Sequence, residues 1–218
     1  VREKRKAVRW IMDKPERRTV NLEELKVSRQ TDEEKPIPMI EGHAAVFNQW
    51  SEELGVWFPF REKVLPGAFT DTIKTDDIRA LYNHDVNYVL GRNKAGTLFL
   101  EEDDTGLKVR ILPPDTQWAK DLLVSIERGD ISQMSFGFIV ISDRWGTEEG
   151  TDVRELLKVK LYDVSPVTFP AYLQTDVGVR SAMEAYERHK REVLEAEKAR
   201  NQQKLMLLKR KFELHRRV

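Results

Sequence analysis

All 11 glycines and all 9 prolines of this 218-residue chain lie before Ser181. Glycine and proline interrupt helices and supply turns. The chain therefore divides into a turn-rich part and an uninterrupted one. Residues 181–218 are dominated by Glu, Lys, Arg, Ala, Leu and Met, all strong helix formers. Ser181 followed by Glu184 has the spacing of a capping box. The pattern predicts a long surface helix that docks on a partner or on a second copy. Lys190 and Glu197 interrupt its apolar seam, so a sustained coiled coil is not expected.

The turn-rich part reads as short strands. Ile40 to Phe47, Ile78 to Tyr82, Ser132 to Ile141 and Glu155 to Val164 carry strand patterns. Gly96 to Leu100 and Gly106 to Leu112 flank the acidic turn Glu101 to Asp104, as in a hairpin with a longer loop. One helix is clear: Asp115 is placed to cap it, Trp118, Leu122, Leu123 and Ile126 form its apolar face, and Gly129 ends it. A shorter helix is expected near Phe69 to Lys74. Many short strands with a helix packed on them suggest an α+β barrel or sandwich. Residues 1–36 have few apolar positions and no sustained period, and read as a basic extension. Lys35-Pro36-Ile37-Pro38 makes a stiff boundary. The expected organisation is thus 1–36, a domain over 37–180, and a helical extension over 181–218.

Charge follows the same division. The chain is neutral overall, but residues 1–36 carry +3, residues 37–180 carry −8 and residues 181–218 carry +5. An acidic middle disfavours a nucleic-acid-binding core, because phosphate contacts need Lys and Arg. The basic ends read either as solvated tails or as contacts for an acidic partner. With no cysteine, thiol catalysis, disulfides and zinc knuckles are excluded. No run of about 18 apolar residues is present to cross a membrane.

A covalent nucleophile must then be Ser, Thr, Lys or a carboxylate, with His the natural base. Four histidines exist. His189 and His215 lie on the charged C-terminal helix, and His43 reads as a packed or edge side chain. His84 ends an alternating strand in Tyr82-Asn83-His84-Asp85, which is equally ordinary turn composition. Ser135 sits in Met134-Ser135-Phe136-Gly137-Phe138, either a reactive hydroxyl or a buried, hydrogen-bonded one. Gly137 leaves room on the face of Ser135, where a peptide could approach. Asp163 continues the apolar face of Leu157, Val159 and Leu161, and a carboxylate there needs a partner. A histidine is one partner; Arg79 is the structural alternative. No metal-binding spacing, phosphate loop or dinucleotide turn is present, so no metal or cofactor is expected.

These segments, taken in order, resemble a family. Gly42-His43-Ala44-Ala45-Val46-Phe47-Asn48, Val64-Leu65-Pro66-Gly67-Ala68-Phe69 and Arg79-Ala80-Leu81-Tyr82-Asn83-His84-Asp85 come first. Val89-Leu90-Gly91-Arg92, Gly96-Thr97-Leu98 and Arg128 through Phe138 follow, and Asp163 through Tyr172 ends the set. Over roughly residues 40–175 the chain looks like the prohead (capsid maturation) serine proteases of tailed bacteriophages. The resemblance implies an assemblin-like fold, a mainly antiparallel β-barrel with flanking helices. It implies a triad of His84, Ser135 and Asp163, with glutamate commoner than aspartate at the third position. It implies a location inside the phage procapsid in the host cytoplasm. The implied partners are the major capsid protein with its scaffolding segment, and the chain itself through autocleavage or a homodimer. A non-catalytic assembly module is the alternative. The presence of His, Ser and an acid at the matched positions favours the enzyme. The C-terminal helix would recruit it to scaffold or capsid interior.

Overall fold

Alternating apolar residues and frequent turn residues give ten strands among the described residues, whose positions follow from which residues can be buried. The computed structural model of the chain describes residues 15–20, 25–30, 37–55, 59–169 and 176–215. The strands are β1 (Glu16–Val20), β2 (Lys26–Gln30), β3 (Ile37–Val46), β4 (Phe60–Val64), β5 (Arg79–Tyr82), β6 (Asp85–Arg92), β7 (Leu98–Glu102), β8 (Gly106–Ile111), β9 (Gln133–Glu148) and β10 (Thr151–Val167). The helices are α1 (Thr72–Thr75), α2 (Gln117–Glu127) and α3 (Asp176–His215). The class is α+β, as the sequence indicates.

The expected closed barrel is corrected. The described strands form a six-stranded sheet, β1-β9-β10-β5-β6 with β4 also on β10, and a four-stranded sheet, β2-β3-β8-β7. A lone parallel bridge between Phe47 and Val64 links the ends of the two sheets, too little to continue a ladder around a barrel. Nor is the pairing uniformly antiparallel. Long β10 lies against β9 on one edge and receives β4 and then β5 in parallel on the other. Core residues come from both sheets and from α2, among them Ile40, Val109, Ile111, Phe136, Phe138 and Leu161.

The α2 boundary differs by one residue from the sequence reading. Thr116 occupies the cap position, and Asp115 instead pairs with Lys120 at 2.5 Å. Leu122 and Ile126 are buried as expected, each stabilising by about 1.5–3 kcal/mol. Gly129, with φ of +81°, reverses the chain and donates its N–H to the Ile126 carbonyl. The C-terminal helix begins at Asp176, so Ser181 lies inside it rather than at its cap. Residues Val1–Val179 and Arg180–Val218 form separate compact units. No helix among the described residues is long and apolar enough to cross a membrane.

The reading of residues 1–36 as an extension also meets a difference. Within it, β1 pairs with β9 and β2 with β3. Residues 1–14, 21–24 and 31–36, including the Lys35-Pro36 boundary, lie outside the described residues. Two of the three charges of β1, Glu16 and Arg18, are withdrawn from solvent, while Arg17 is exposed. Arg18 bonds Glu62 at 2.8 Å and Glu16 at 2.7 Å. Arg154 of β10 reaches Glu62 at 3.1 Å, Glu16 at 3.5 Å and Asp143 at 2.8 Å. Arg154 is 1% exposed, and Glu16 and Glu62 are 3%. Burial opposes the charge on Arg18, but Glu62 and Glu16 more than offset it and hold the guanidinium above its ordinary value. Arg154 is raised likewise, its burial outweighed by Glu62, Glu16 and Asp143. This ion network ties β1 to β4, β9 and β10. It lies on the side of β9 that carries Phe138, whose ring is 5.5 Å from the Arg18 guanidinium.

Candidate active site

His84 owes its position to a turn. Strand β5 ends at Tyr82 and β6 begins at Asp85, and these two residues face each other across the ladder. Only Asn83 and His84 remain to reverse the chain. Both have positive φ, +53° and +57°, the mark of a two-residue type I′ hairpin turn. Asparagine accepts that conformation readily, whereas histidine pays about 1–2 kcal/mol. The turn is pinned from outside. The Asn83 N–H donates to the Pro166 carbonyl at 3.0 Å, and the Thr168 N–H donates to Asn83 Oδ1 at 2.8 Å. Asn83 Nδ2 donates to Thr168 Oγ1 at 3.1 Å, and the Tyr82 hydroxyl meets the same Oγ1 at 2.9 Å. Turn and site are thus one feature, although the sequence offers them as alternatives.

Ser135 stands near the start of β9, in the middle of a sheet. It faces Thr19 of β1 on one side and Ser165 of β10 on the other. Strand alternation puts Ser135 and Gly137 on one face and Phe136 and Phe138 on the opposite face.

Asp163 reaches the face of Ser135 through an irregularity. On β10, Leu161 pairs with Phe138, but Asp163 pairs with Gly137, so Tyr162 is an extra residue. In an unbroken ladder Asp163 would continue the face of Leu161 and Phe138, as the sequence pattern predicts. The bulge turns it to the face of Gly137 and Ser135. Bulges re-aim side chains in this way and are over-represented beside active sites. The bulged backbone is held in place: the Leu161 N–H donates to Thr72 Oγ1 at 2.9 Å, and that hydroxyl donates to Asp76 at 2.7 Å.

The three residues named from the sequence come together in one line. His84 Nε2 is 2.7 Å from Ser135 Oγ, and His84 Nδ1 is 2.5 Å from Asp163 Oδ2. With the Nδ1 proton directed to the carboxylate, Nε2 is the acceptor for the serine O–H. The cluster is largely buried: Ser135 is fully buried, and the side chains of His84 and Asp163 are 6% and 13% exposed. Arg79, the alternative partner of Asp163, instead bonds Asp77. His43 pairs with Asp103 at 2.9 Å, away from this line. Among the described residues, no group of three or more His, Asp or Glu is arranged to hold a metal ion.

Three further residues shape the site. The room above Gly137 is taken by Asp163 rather than left for a peptide: a Cβ on Gly137 would lie 2.4 Å from Asp163 Oδ1. Ser165 donates its hydroxyl to Asp163 Oδ2 at 2.8 Å. Thr168 holds the Asn83 turn. Their signals are present in the sequence, a glycine beside the serine and hydroxyl residues just after the acid, but only three-dimensional contact assigns them.

Comparison with known proteins agrees with this geometry. The caudovirus prohead serine protease family profile matches residues 23–189, well over half of the chain. The prohead protease of Enterobacteria phage HK97 is 27% identical over 173 residues, covering 78% of this chain and 71% of that protein. The bacteriophage T4 capsid assembly protease aligns with 70% of this chain and 98% of its own, at 14% identity. Its TM-score of 0.39 is too low to establish a common fold. A profile match of that extent, in a chain that brings a serine, a histidine and an acid into hydrogen-bond contact, makes this protein a serine protease belonging to the caudovirus prohead serine protease family.

Proposed function

We propose that the chain is the prohead maturation endopeptidase, cutting the scaffolding segment from the major capsid protein and also cutting itself, inside the procapsid in the host cytoplasm. Family membership supports the setting. The observation that carries the chemistry is the unbroken line from Ser135 through His84 to Asp163.

Ser135 Oγ adds to the scissile carbonyl while its proton passes to His84 Nε2. Asp163 holds the ring in the required tautomer and stabilises the imidazolium. Collapse of the tetrahedral intermediate breaks the C–N bond, and His84 returns the proton to the leaving amine. Water then attacks the acyl-enzyme by the same route, regenerating Ser135 and releasing the second product as a carboxylate. Burial of the line favours this electrostatic coupling, because opposite charges attract more strongly away from water.

Co-expression with the major capsid protein tests the proposal, with intact mass as the readout. The native chain is expected to remove a discrete N-terminal piece of capsid protein, and Ser135→Ala to remove none. Cleavage by both would exclude Ser135 as the nucleophile. Truncation at residue 180 is expected to leave cleavage intact and to reduce packaging into procapsids; undiminished packaging would reject a recruiting role for the C-terminal helix.

A further inference from the structure

We propose that Ser165 is a positioning residue for the reaction, acting through Asp163 to hold the His84 ring toward Ser135. The inference rests on the Ser135–His84–Asp163 reading above and extends it by one residue.

Ser165 is fully buried and lies directly opposite Ser135 in the β9–β10 ladder. Its hydroxyl donates to Asp163 Oδ2 at 2.8 Å. That is the same oxygen that accepts the His84 Nδ1 proton at 2.5 Å. The Ser165 oxygen also lies 3.4 Å from Nδ1, a much longer contact than the 2.5 Å from Asp163 Oδ2 to the same nitrogen, so the carboxylate is the main acceptor. Meanwhile Oδ1 sits in the space that Gly137 leaves by having no Cβ. The carboxylate is thus held at both oxygens: one by two donors, the other by shape.

A buried hydroxyl needs one hydrogen bond, and the backbone could supply it. Here the bond is spent on the oxygen that faces the imidazole. Without it, the Asp163 side chain can rotate about its last torsion, which has a broad energy profile. The ring it orients would then lose its alignment with Ser135 Oγ. Displacements of about 1 Å in such an arrangement cost up to roughly 100-fold in rate. Two residues of one strand separated by a single position therefore do different work. Asp163 faces the ring, and Ser165 fixes Asp163.

A double-mutant cycle on the full chain tests this, read by the rate at which a fluorophosphonate labels Ser135 with release of fluoride, followed by intact mass. Ser165→Ala is expected to slow labelling by about 10- to 100-fold in the native background. It is expected to slow it no further when Asp163→Asn is already present, because the serine acts through that carboxylate. Equal slowing in both backgrounds would mark Ser165 as merely structural, and no slowing in either would remove it from the mechanism; both overturn the proposal. Ser165→Cys fills the same space with a weak donor and should slow labelling in the same direction without leaving a void. As a second readout, the downfield proton of His84 Nδ1 in a Ser135→Ala chain should move when Ser165 is replaced; an unmoved resonance also overturns the proposal. Native labelling by Asp163→Asn alone would instead reject the underlying triad, an outcome separable because Ser165 is intact there.

Discussion

Strands β1, β9 and β10 serve two buried polar clusters of opposite design. On the Phe138 side of β9, two arginines meet three carboxylates: Arg18 and Arg154 with Glu16, Glu62 and Asp143. On the Ser135 side, one carboxylate meets one imidazole and two hydroxyls. The first cluster is a closed mesh in which most charges have more than one opposite neighbour. The second is an open line with a single acid at one end and a neutral nucleophile at the other. A mesh stays charged and holds strands together. In the proposed reaction the line moves one proton, from Ser135 to His84, and Asp163 balances the charge that the imidazole gains. Burial of polar groups thus has two distinct uses in the same sheet, and connectivity separates them.

The largest effect is expected at the line. Asp163→Asn is expected to lower the cleavage rate by about 10⁴-fold, from the effect of losing the correct imidazole tautomer. Its melting temperature should change little; a large fall in melting temperature with the rate per folded molecule preserved would assign the line to stability. The mirror experiment is Arg154→Leu, which leaves Glu16, Glu62 and Asp143 facing one another without that guanidinium. Removing one partner of a buried ion cluster costs about 3–5 kcal/mol. Urea denaturation should show that loss, while the folded fraction cleaves at the native rate. An unchanged midpoint would mean the mesh contributes nothing to holding β1.

Gly137→Ala lies between the two cases. The added methyl would meet Asp163 Oδ1 at 2.4 Å, so either the carboxylate or the strand must shift. Overpacking of this kind costs about 1–3 kcal/mol, and the displaced acid should also slow catalysis. Rate and stability measured together should both fall, and a fall in stability alone would show that the acid has slack. The smallest effect sharpens the contrast with an exposed pair. Asp77 is lowered to about 2 from 3.8, chiefly by the hydrogen bond from Arg92 and further by Arg79. A depressed carboxylate contributes stability above its unfolded value and loses it as pH falls through the folded one. Asp77→Asn should therefore slightly flatten the fall in melting temperature between pH 3.8 and about 2, and added salt should erase the difference. The arginines of the mesh are raised, so their own charge is lost only at very alkaline pH.

What was legible in the sequence follows from the range over which each feature is determined. Asn83 and His84 are readable because a two-residue turn is local, and the apolar face of α2 is readable because its period is local. Ser135 is readable as a small hydroxyl between Met134 and Phe136. Glu16 and Arg18 look solvated because their partner Glu62 lies 44 residues from Arg18 and their partner Arg154 lies 138 residues from Glu16. The separation into two sheets depends on which edges meet, which no segment carries alone. Asp163 reads in the sequence as an acid needing a partner, yet strict alternation assigns it to the wrong face. The extra residue Tyr162 shows no signature in composition or period, and Ser165 gains its role only once that extra residue has placed it across from Ser135.

The Tyr162 bulge aims the acid in a way that a regular strand of the same length would not. With one residue between them, Leu161 and Asp163 would share a face in a regular strand. The extra residue gives them opposite faces and sets Asp163 across from Gly137. Deleting Tyr162 would bring the acid next to Leu161 in an unbroken ladder, still opposite Gly137 and still on the face of Ser135. A straight strand one residue shorter would therefore aim the acid the same way, and the bulged strand is one of two strand lengths that meet this requirement.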